Sequence, residues 1–293
     1  MAVMAAEAAR EHAFDVEDVE YLRHGDAPLL ARLFRPRGAG PFPMVLDLHG
    51  GAWVHGDRLN DTIMNEAMAR AGLLVAALDF RVPPQAGYPA SVQDIVHAVR
   101  WMKAKAGALN GRPGKVGAVG LSSGGHLAAL AALRHDDPRY AAIRRPETEG
   151  HDARLACAVL CWPVIDPIGR YRFALELKAR GGAYPEAIDR VLPAHGKYWA
   201  DEAAMAEGAP ATKLENGEPC DLPPLLYVQG AADIVHPRPH LDRFVQAYRA
   251  RGGELELALY DGEVEGFIVR KAGTPNAIAA QQRITRFLHD RLR

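Results

Sequence analysis

The run Gly120-Leu121-Ser122-Ser123-Gly124-Gly125-His126 sets a serine between two glycines. It joins the apolar stretch Val116-Gly117-Ala118-Val119 to the alanine- and leucine-rich stretch Leu127–Leu133. A strand that turns sharply into a helix lifts the central hydroxyl clear of the sheet. Glycines on either side let the backbone bend without a Cβ clash, and the helix start offers free N–H groups to whatever binds there. Such a hydroxyl can attack a carbonyl carbon. A glycine- and serine-rich turn with no ligand matches the same short pattern, so the elements around it must decide.

Those elements alternate. The opening pair, Val16–Leu22 and Leu29–Arg35, brackets His24-Gly25-Asp26 and reads as antiparallel strands. Short β-rich runs then follow at Pro43–Leu48, Leu73–Phe80, Lys115–Leu121, Ala153–Cys161, Leu225–Gln229 and Leu255–Tyr260. Helical stretches separate them at about Asp61–Arg70, Val92–Lys105, the segment after Ser122, and His240–Arg251. The spacing of Val92, Ile95, Val96, Val99 and Met102 is that of a helix face. This rhythm predicts an α/β domain with a central, mostly parallel sheet covered on both faces. The rhythm stops between 166 and 219, where helical pieces, Tyr171, Tyr184, Trp199 and many charges suggest a lid inserted into a single domain spanning 1–293. An amphipathic helix over Ala277–Leu292 closes the chain and offers a surface for a homodimer.

The bulk composition is ordinary for a globular chain of 293 residues: 48% hydrophobic, 24% charged, formal net charge −1. The near-zero charge gives no electrostatic reason to expect nucleic acid or an anionic membrane as partner. No apolar run approaches the ~20 residues a membrane span needs. The start, Met1–Arg10, lacks the basic head and apolar core of a signal peptide, so a cytoplasmic location is expected. Cys157 and Cys161, four residues and roughly 13 Å apart along a strand, are too far apart to bond each other and read as small buried hydrophobes.

Three segments in one order carry a resemblance. His49-Gly50-Gly51-Ala52-Trp53 follows one strand, Gly120–Gly124 another, and Gly230-Ala231-Ala232-Asp233 a third. From about Phe42 onward the chain resembles the α/β-hydrolase fold, and within it the esterases related to hormone-sensitive lipase and bacterial arylformamidase-like enzymes. Asp79-Phe80-Arg81, Tyr88-Pro89-Ala90 and Asp94 look like that group's supporting segments. The resemblance implies that Ser122 is the nucleophile and that the N–H groups of Gly50, Gly51 and Ser123 form an oxyanion hole. It implies Asp233 as the acid that orients and stabilises the base. Trp53 would sit at the site mouth against the acyl or leaving group, the alternative being plain core filling.

The last motif breaks the pattern. The family reads approximately Tyr-x-Gly-x-x-His-Gly-Phe, whereas this chain reads Tyr260-Asp261-Gly262-Glu263-Val264-Glu265-Gly266-Phe267. No histidine occurs between His240 and His289, so Glu265 stands where the base belongs. A carboxylate with an ordinary pKa of about 4.3 is a weaker base than an imidazole near 6.5. Beside Asp233, however, two close carboxyls would share a proton and raise the upper pKa. Ser–Glu–Asp triads of that kind work in serine-carboxyl peptidases. The first expectation is therefore an atypical Ser122, Asp233, Glu265 constellation that hydrolyses a small carboxylic ester or related acyl compound.

Other readings stay open. His236, His240 or His126 reaches Ser122 instead; or the scaffold has become a non-hydrolytic binder or sensor, as in plant gibberellin receptors; or a lyase or C–C hydrolase uses Glu265 directly; or the glutamate is a replacement for a native histidine. No histidine pair has metal-ligand spacing with a third donor, and neither metal nor cofactor is implied. Arg170, Arg172 and Arg180 in the insertion can meet a substrate carboxylate, though solvated surface is their ordinary fate.

Overall fold

The structure is a computed structural model and describes residues 11–293; the segment Met1–Arg10, judged above for signal character, lies outside the described residues. Eight strands form one sheet: β1 (Phe14–His24), β2 (Ala27–Pro36), β3 (Phe42–Leu48), β4 (Leu74–Leu78), β5 (Gly111–Leu121), β6 (Cys157–Cys161), β7 (Leu225–Gly230) and β8 (Leu255–Tyr260). Their spatial order is β1-β2-β4-β3-β5-β6-β7-β8. β1 pairs antiparallel with β2, β2 antiparallel with β4, and every other pairing is parallel. The four strands β3, β4, β6 and β7 are buried at every position, which is why they read as unbroken apolar runs and not as alternating ones.

The order reverses once in a way that matters. From β3 the chain crosses to β4 on one side, then returns to β5 on the other, with Leu48 registered against Gly120. The carboxyl ends of β3 and β5 thus open a crevice at the switch point, the usual binding place of open α/β sheets. The His49-Gly50-Gly51 and Ser122 segments leave from those two ends.

Helices cover both faces. On one face lie α2 (Ala90–Lys105) and α3 (Ser123–Arg134); on the other, α1 (Thr62–Arg70) and α10 (Pro275–Leu292). The apolar side of α10, with Ala280, Ile284, Phe287 and Leu288, is buried against the sheet. Cys157 and Cys161 are buried and unbridged on β6, as expected, and burial pushes the Cys157 thiol up to about 12. One expected strand is shorter than read: β6 starts at Cys157, not Ala153. The Asp152 carboxylate accepts from the Arg154 N–H at 2.8 Å and from Lys103 Nζ at 2.7 Å, and this local turn holds the segment away from the ladder.

Between β6 and β7 the 166–219 stretch forms four helices: α4 (Pro167–Arg180), α5 (Ala187–Tyr198), α6 (Glu202–Glu207) and α7 (Pro210–Glu215). Asp166 caps α4 by accepting from the Gly169 N–H at 2.9 Å, with Pro167 in the first helical position. After β7 come α8 (Arg238–Ala250) and, past β8, the short α9 (Phe267–Arg270). Among the described residues no helix is long and apolar enough to cross a membrane.

Candidate active site

Ser122 ends the β5 turn with φ 52° and ψ −114°, a conformation L side chains rarely adopt. Packing explains how it is held. A Cβ on Gly124 would lie 1.9 Å from the Leu48 carbonyl oxygen, so the helix start presses directly on the end of β3. The Ser122 N–H donates to the Cys161 carbonyl at 2.9 Å, and its own carbonyl accepts from His126 and Val164 at 3.1 and 3.2 Å. The bend is therefore over-determined, as a strained functional turn must be.

Gly50 lies against it: a Cβ there would stand 3.5 Å from Ser122 Cβ. Gly51, at φ +114°, could not carry a Cβ, which would meet the His55 carbonyl oxygen at 1.9 Å. Among the described residues no hydrogen bond engages the Gly50 or Gly51 N–H. The Ser123 N–H opens α3, where intrahelical acceptors are lacking. All three donors are thus available at the positive end of a helix dipole.

The residue brought to Ser122 is His236. Its Nε2 lies 3.3 Å from Ser122 Oγ, and its Nδ1 lies 3.0 Å from Asp233 Oδ2. With the carboxylate accepting, Nδ1 carries the proton and Nε2 presents its lone pair to the serine. The other carboxylate oxygen, Oδ1, accepts from the N–H groups of Val235 and His236 at 2.9 and 3.1 Å. This turn folds a histidine back onto the aspartate three residues before it. Both side chains are buried. Burial pushes the Asp233 carboxyl up, but the adjacent imidazole of His236 and the backbone N–H donors outweigh that and hold it below the usual carboxylate range.

Glu265, the base of the first expectation, is elsewhere engaged. Its carboxylate pairs with Arg270 Nη2 at 3.2 Å, and among the described residues no hydrogen bond joins it to Ser122 or Asp233. The geometry thus replaces a Ser122–Glu265 contact with a Ser122–His236 contact. The physical reason is local: the loop after β7 brings both Asp233 and His236 towards Ser122, while the mostly buried Glu265 on the loop after β8 pairs with Arg270. His126 is excluded as the base by its own bonds. Its Nδ1 accepts from Trp53 Nε1 at 3.0 Å, its Nε2 lies 2.7 Å from the Gly208 carbonyl, and burial pushes its pKa down to about 4. His240 stands beside the site, its imidazole pKa lowered by burial.

Trp53 is not at a mouth. Its indole is 1% exposed, stacked on Tyr198 at 5.5 Å and edge-on to His126 and Trp199. The alternative of core filling is the one the packing shows, because α5 of the insertion folds down over the β3 loop. Arg172 and Arg180 are solvated and pair with Glu202 and Glu176. Arg170 is buried instead, its guanidinium 5.1 Å over the Trp53 ring. Among the described residues no cluster of three His, Cys, Asp or Glu side chains is placed to hold a metal ion.

The BD-FAE family model matches residues 33–240. The chain is 28% identical over 253 residues to the esterase LipC of Mycobacterium tuberculosis, covering 82% of this chain and 57% of that protein. It is 24% identical to the isoprenylcysteine alpha-carbonyl methylesterase ICME of Arabidopsis thaliana, covering 75% of this chain and 49% of that one. The chain thus spans about half the length of these curated relatives. Among solved structures, the esterase of Pyrobaculum calidifontis superimposes with a TM-score of 0.75 at 21% identity, over 99% of this chain and 89% of its own. EstE1, a carboxylesterase cloned from a metagenomic library, gives 0.76 at 20%, over 99% and 93%. Both likenesses bear out the α/β-hydrolase fold.

Proposed function

The chain belongs to the BD-FAE family, and from that membership we propose that it hydrolyses small carboxylic esters through an acyl-Ser122 intermediate, with His236 as base and Asp233 behind it. The observation that carries the reading is the continuous Ser122–His236–Asp233 hydrogen-bond chain beside the Gly50–Gly51 loop. The relatives' names, esterase and methylesterase, support the substrate class.

The chemistry follows from the atoms. His236 Nε2 takes the Ser122 hydroxyl proton as Oγ bonds to the ester carbonyl carbon. Negative charge moves to the carbonyl oxygen, where the N–H groups of Gly50, Gly51 and Ser123 receive it; losing one such donor costs about 3 kcal/mol of transition-state stabilisation. The imidazolium, steadied by Asp233, then gives its proton to the departing alkoxide. Water then bonds to the acyl carbon as Nε2 takes its proton, the bond to Oγ breaks, and the imidazolium returns that proton to Oγ, which frees the acid and the serine. The 3.3 Å serine–imidazole distance is within reach and shortens when substrate packs above it. Glu265 takes no step in this scheme.

The test is covalent labelling. A fluorophosphonate should add one equivalent to the wild-type chain, mapped to Ser122 by peptide mass, and none to Ser122→Ala. A label elsewhere, or p-nitrophenyl acetate turnover surviving Ser122→Ala, would remove the proposal.

A further inference from the structure

His126 moves no proton to or from Ser122, yet it is bonded on every side. Its ring is fully buried on the first turn of α3, four residues after the serine. An indole N–H can only donate, so His126 Nδ1 accepts from Trp53 Nε1, at 3.0 Å. The ring proton then sits on Nε2 and donates to the Gly208 carbonyl at 2.7 Å. Burial pushes the imidazole pKa down to about 4, which keeps the ring neutral and this tautomer fixed at neutral pH. The His126 backbone N–H donates to the Ser122 carbonyl at 3.1 Å. One residue thus ties together the nucleophile turn, the loop after β3 and the insertion.

The loop after β3 needs such a tie. Ala52 and Trp53 have φ of 53° and 65°, the left-handed region that residues with a Cβ rarely adopt. They follow directly on Gly50 and Gly51. Two strained residues in succession persist only where their surroundings hold them. From within, the N–H groups of Val54 and His55 both donate to the Gly51 carbonyl at 3.1 Å. From outside, the Trp53 indole is stacked on Tyr198 at 5.5 Å and met edge-on by Trp199 and His195 at 5.4 and 5.2 Å. Ring packing fixes the plane of the indole and lets it slide within that plane. Among the described residues, the bond to His126 is the only directional contact the indole makes.

We infer that His126 is a positioning residue: by accepting the Trp53 N–H it sets the register of the 51–53 turn and so aims the Gly50 and Gly51 N–H groups at the ester carbonyl oxygen. The role rests on the esterase reading above and concerns the oxyanion side of the same site. Displacing such donors by about 1 Å costs on the order of 10²-fold in rate. The loss falls on kcat, because these donors strengthen their hold only as charge develops on the oxygen.

Two amide side chains separate the two bonds. His126→Asn places an oxygen near the Nδ1 position and keeps an acceptor for Trp53. His126→Gln places its amide near the Nε2 position, keeps the donor to Gly208 and loses that acceptor. Turnover of p-nitrophenyl acetate is counted per serine labelled by fluorophosphonate at the end point, so the folded fraction cancels. His126→Gln should lower kcat by about 10–100-fold with KM within about threefold of wild type. It should weaken inhibition by a trifluoromethyl ketone, which forms an oxyanion on Ser122, by a similar factor. His126→Asn should recover most of both. Trp53→Phe, which removes the donor and keeps a ring on Tyr198, should match His126→Gln, and the double variant should lose no more than either alone. If His126→Gln yields no labelled serine, Trp53→Phe decides by the same kcat, KM and ketone measurements. Unchanged kcat, a KM that rises as far as kcat falls, or losses that multiply in the double variant would overturn the role of His126 and leave the esterase reading intact. A wild-type chain that neither turns over the ester nor takes the label would count against the esterase reading itself.

Discussion

Asp61 and Asp47 lie buried on the sheet face opposite the insertion, and their pairing makes stability depend on pH in an uncommon direction. Asp47 sits on β3 and accepts from Asn65 Nδ2 at 2.8 Å; its Oδ1 and Asp61 Oδ2 have no hydrogen-bond partner among the described residues. Burial pushes the Asp61 carboxyl up from 3.8 to about 7, and burial with the neighbouring Asp61 charge raises Asp47 as well. The folded state thus binds more protons than the unfolded chain between about pH 4 and 7. Stability is full below the unfolded value and falls as pH rises through the folded one. At 1.36 kcal/mol per pKa unit, the rise at Asp61 corresponds to at most about 4 kcal/mol lost by pH 8. Asp61→Asn keeps the shape without the charge. It should gain about 2–4 kcal/mol over wild type in urea unfolding at pH 8, with the gain vanishing near pH 4. An Asp61→Asn variant less stable than wild type at pH 8, or a difference unchanged by pH, would refute the buried-acid argument.

Two further perturbations test the packing around the site. Trp53→Ala should destabilise by about 3–5 kcal/mol through loss of its stack with Tyr198 and its bond to His126; a stable variant with altered leaving-group preference would instead put the indole at the mouth. Asp94→Ala, which strips the buried partner of Arg81 and His24, should cost about 3–5 kcal/mol and lower Tm, read by calorimetry; an unchanged Tm would show the ion pair is dispensable.

The fold was legible because its central strands are fully buried and therefore write unbroken apolar runs, while glycine-rich turns mark the carboxyl ends where the site forms. Ser122, Gly50, Gly51 and Asp233 stand out on that pattern. The base was harder to read. In the sequence, Asp233-Ile234-Val235-His236 looks like a turn, and what joins acid to imidazole is the capping of Asp233 Oδ1 by two backbone N–H groups, a three-residue closure that family spacing does not advertise. The one available signal was a histidine three residues after the acid in a chain with none at the usual position. Arg170 was illegible for a different reason. Arg170, Arg172 and Arg180 share one helix, and only the packing of the insertion decides which of the three is buried.

The central assignment is that an imidazole from the β7 loop serves Ser122 in place of a group from the β8 loop. Measured side by side with p-nitrophenyl acetate, His236→Ala should lower kcat by about 10³–10⁴-fold, while Glu265→Gln stays within severalfold of wild type. A His236→Ala enzyme that keeps its turnover, or a Glu265→Gln enzyme that loses it, would hand the proton to the glutamate and contradict the account.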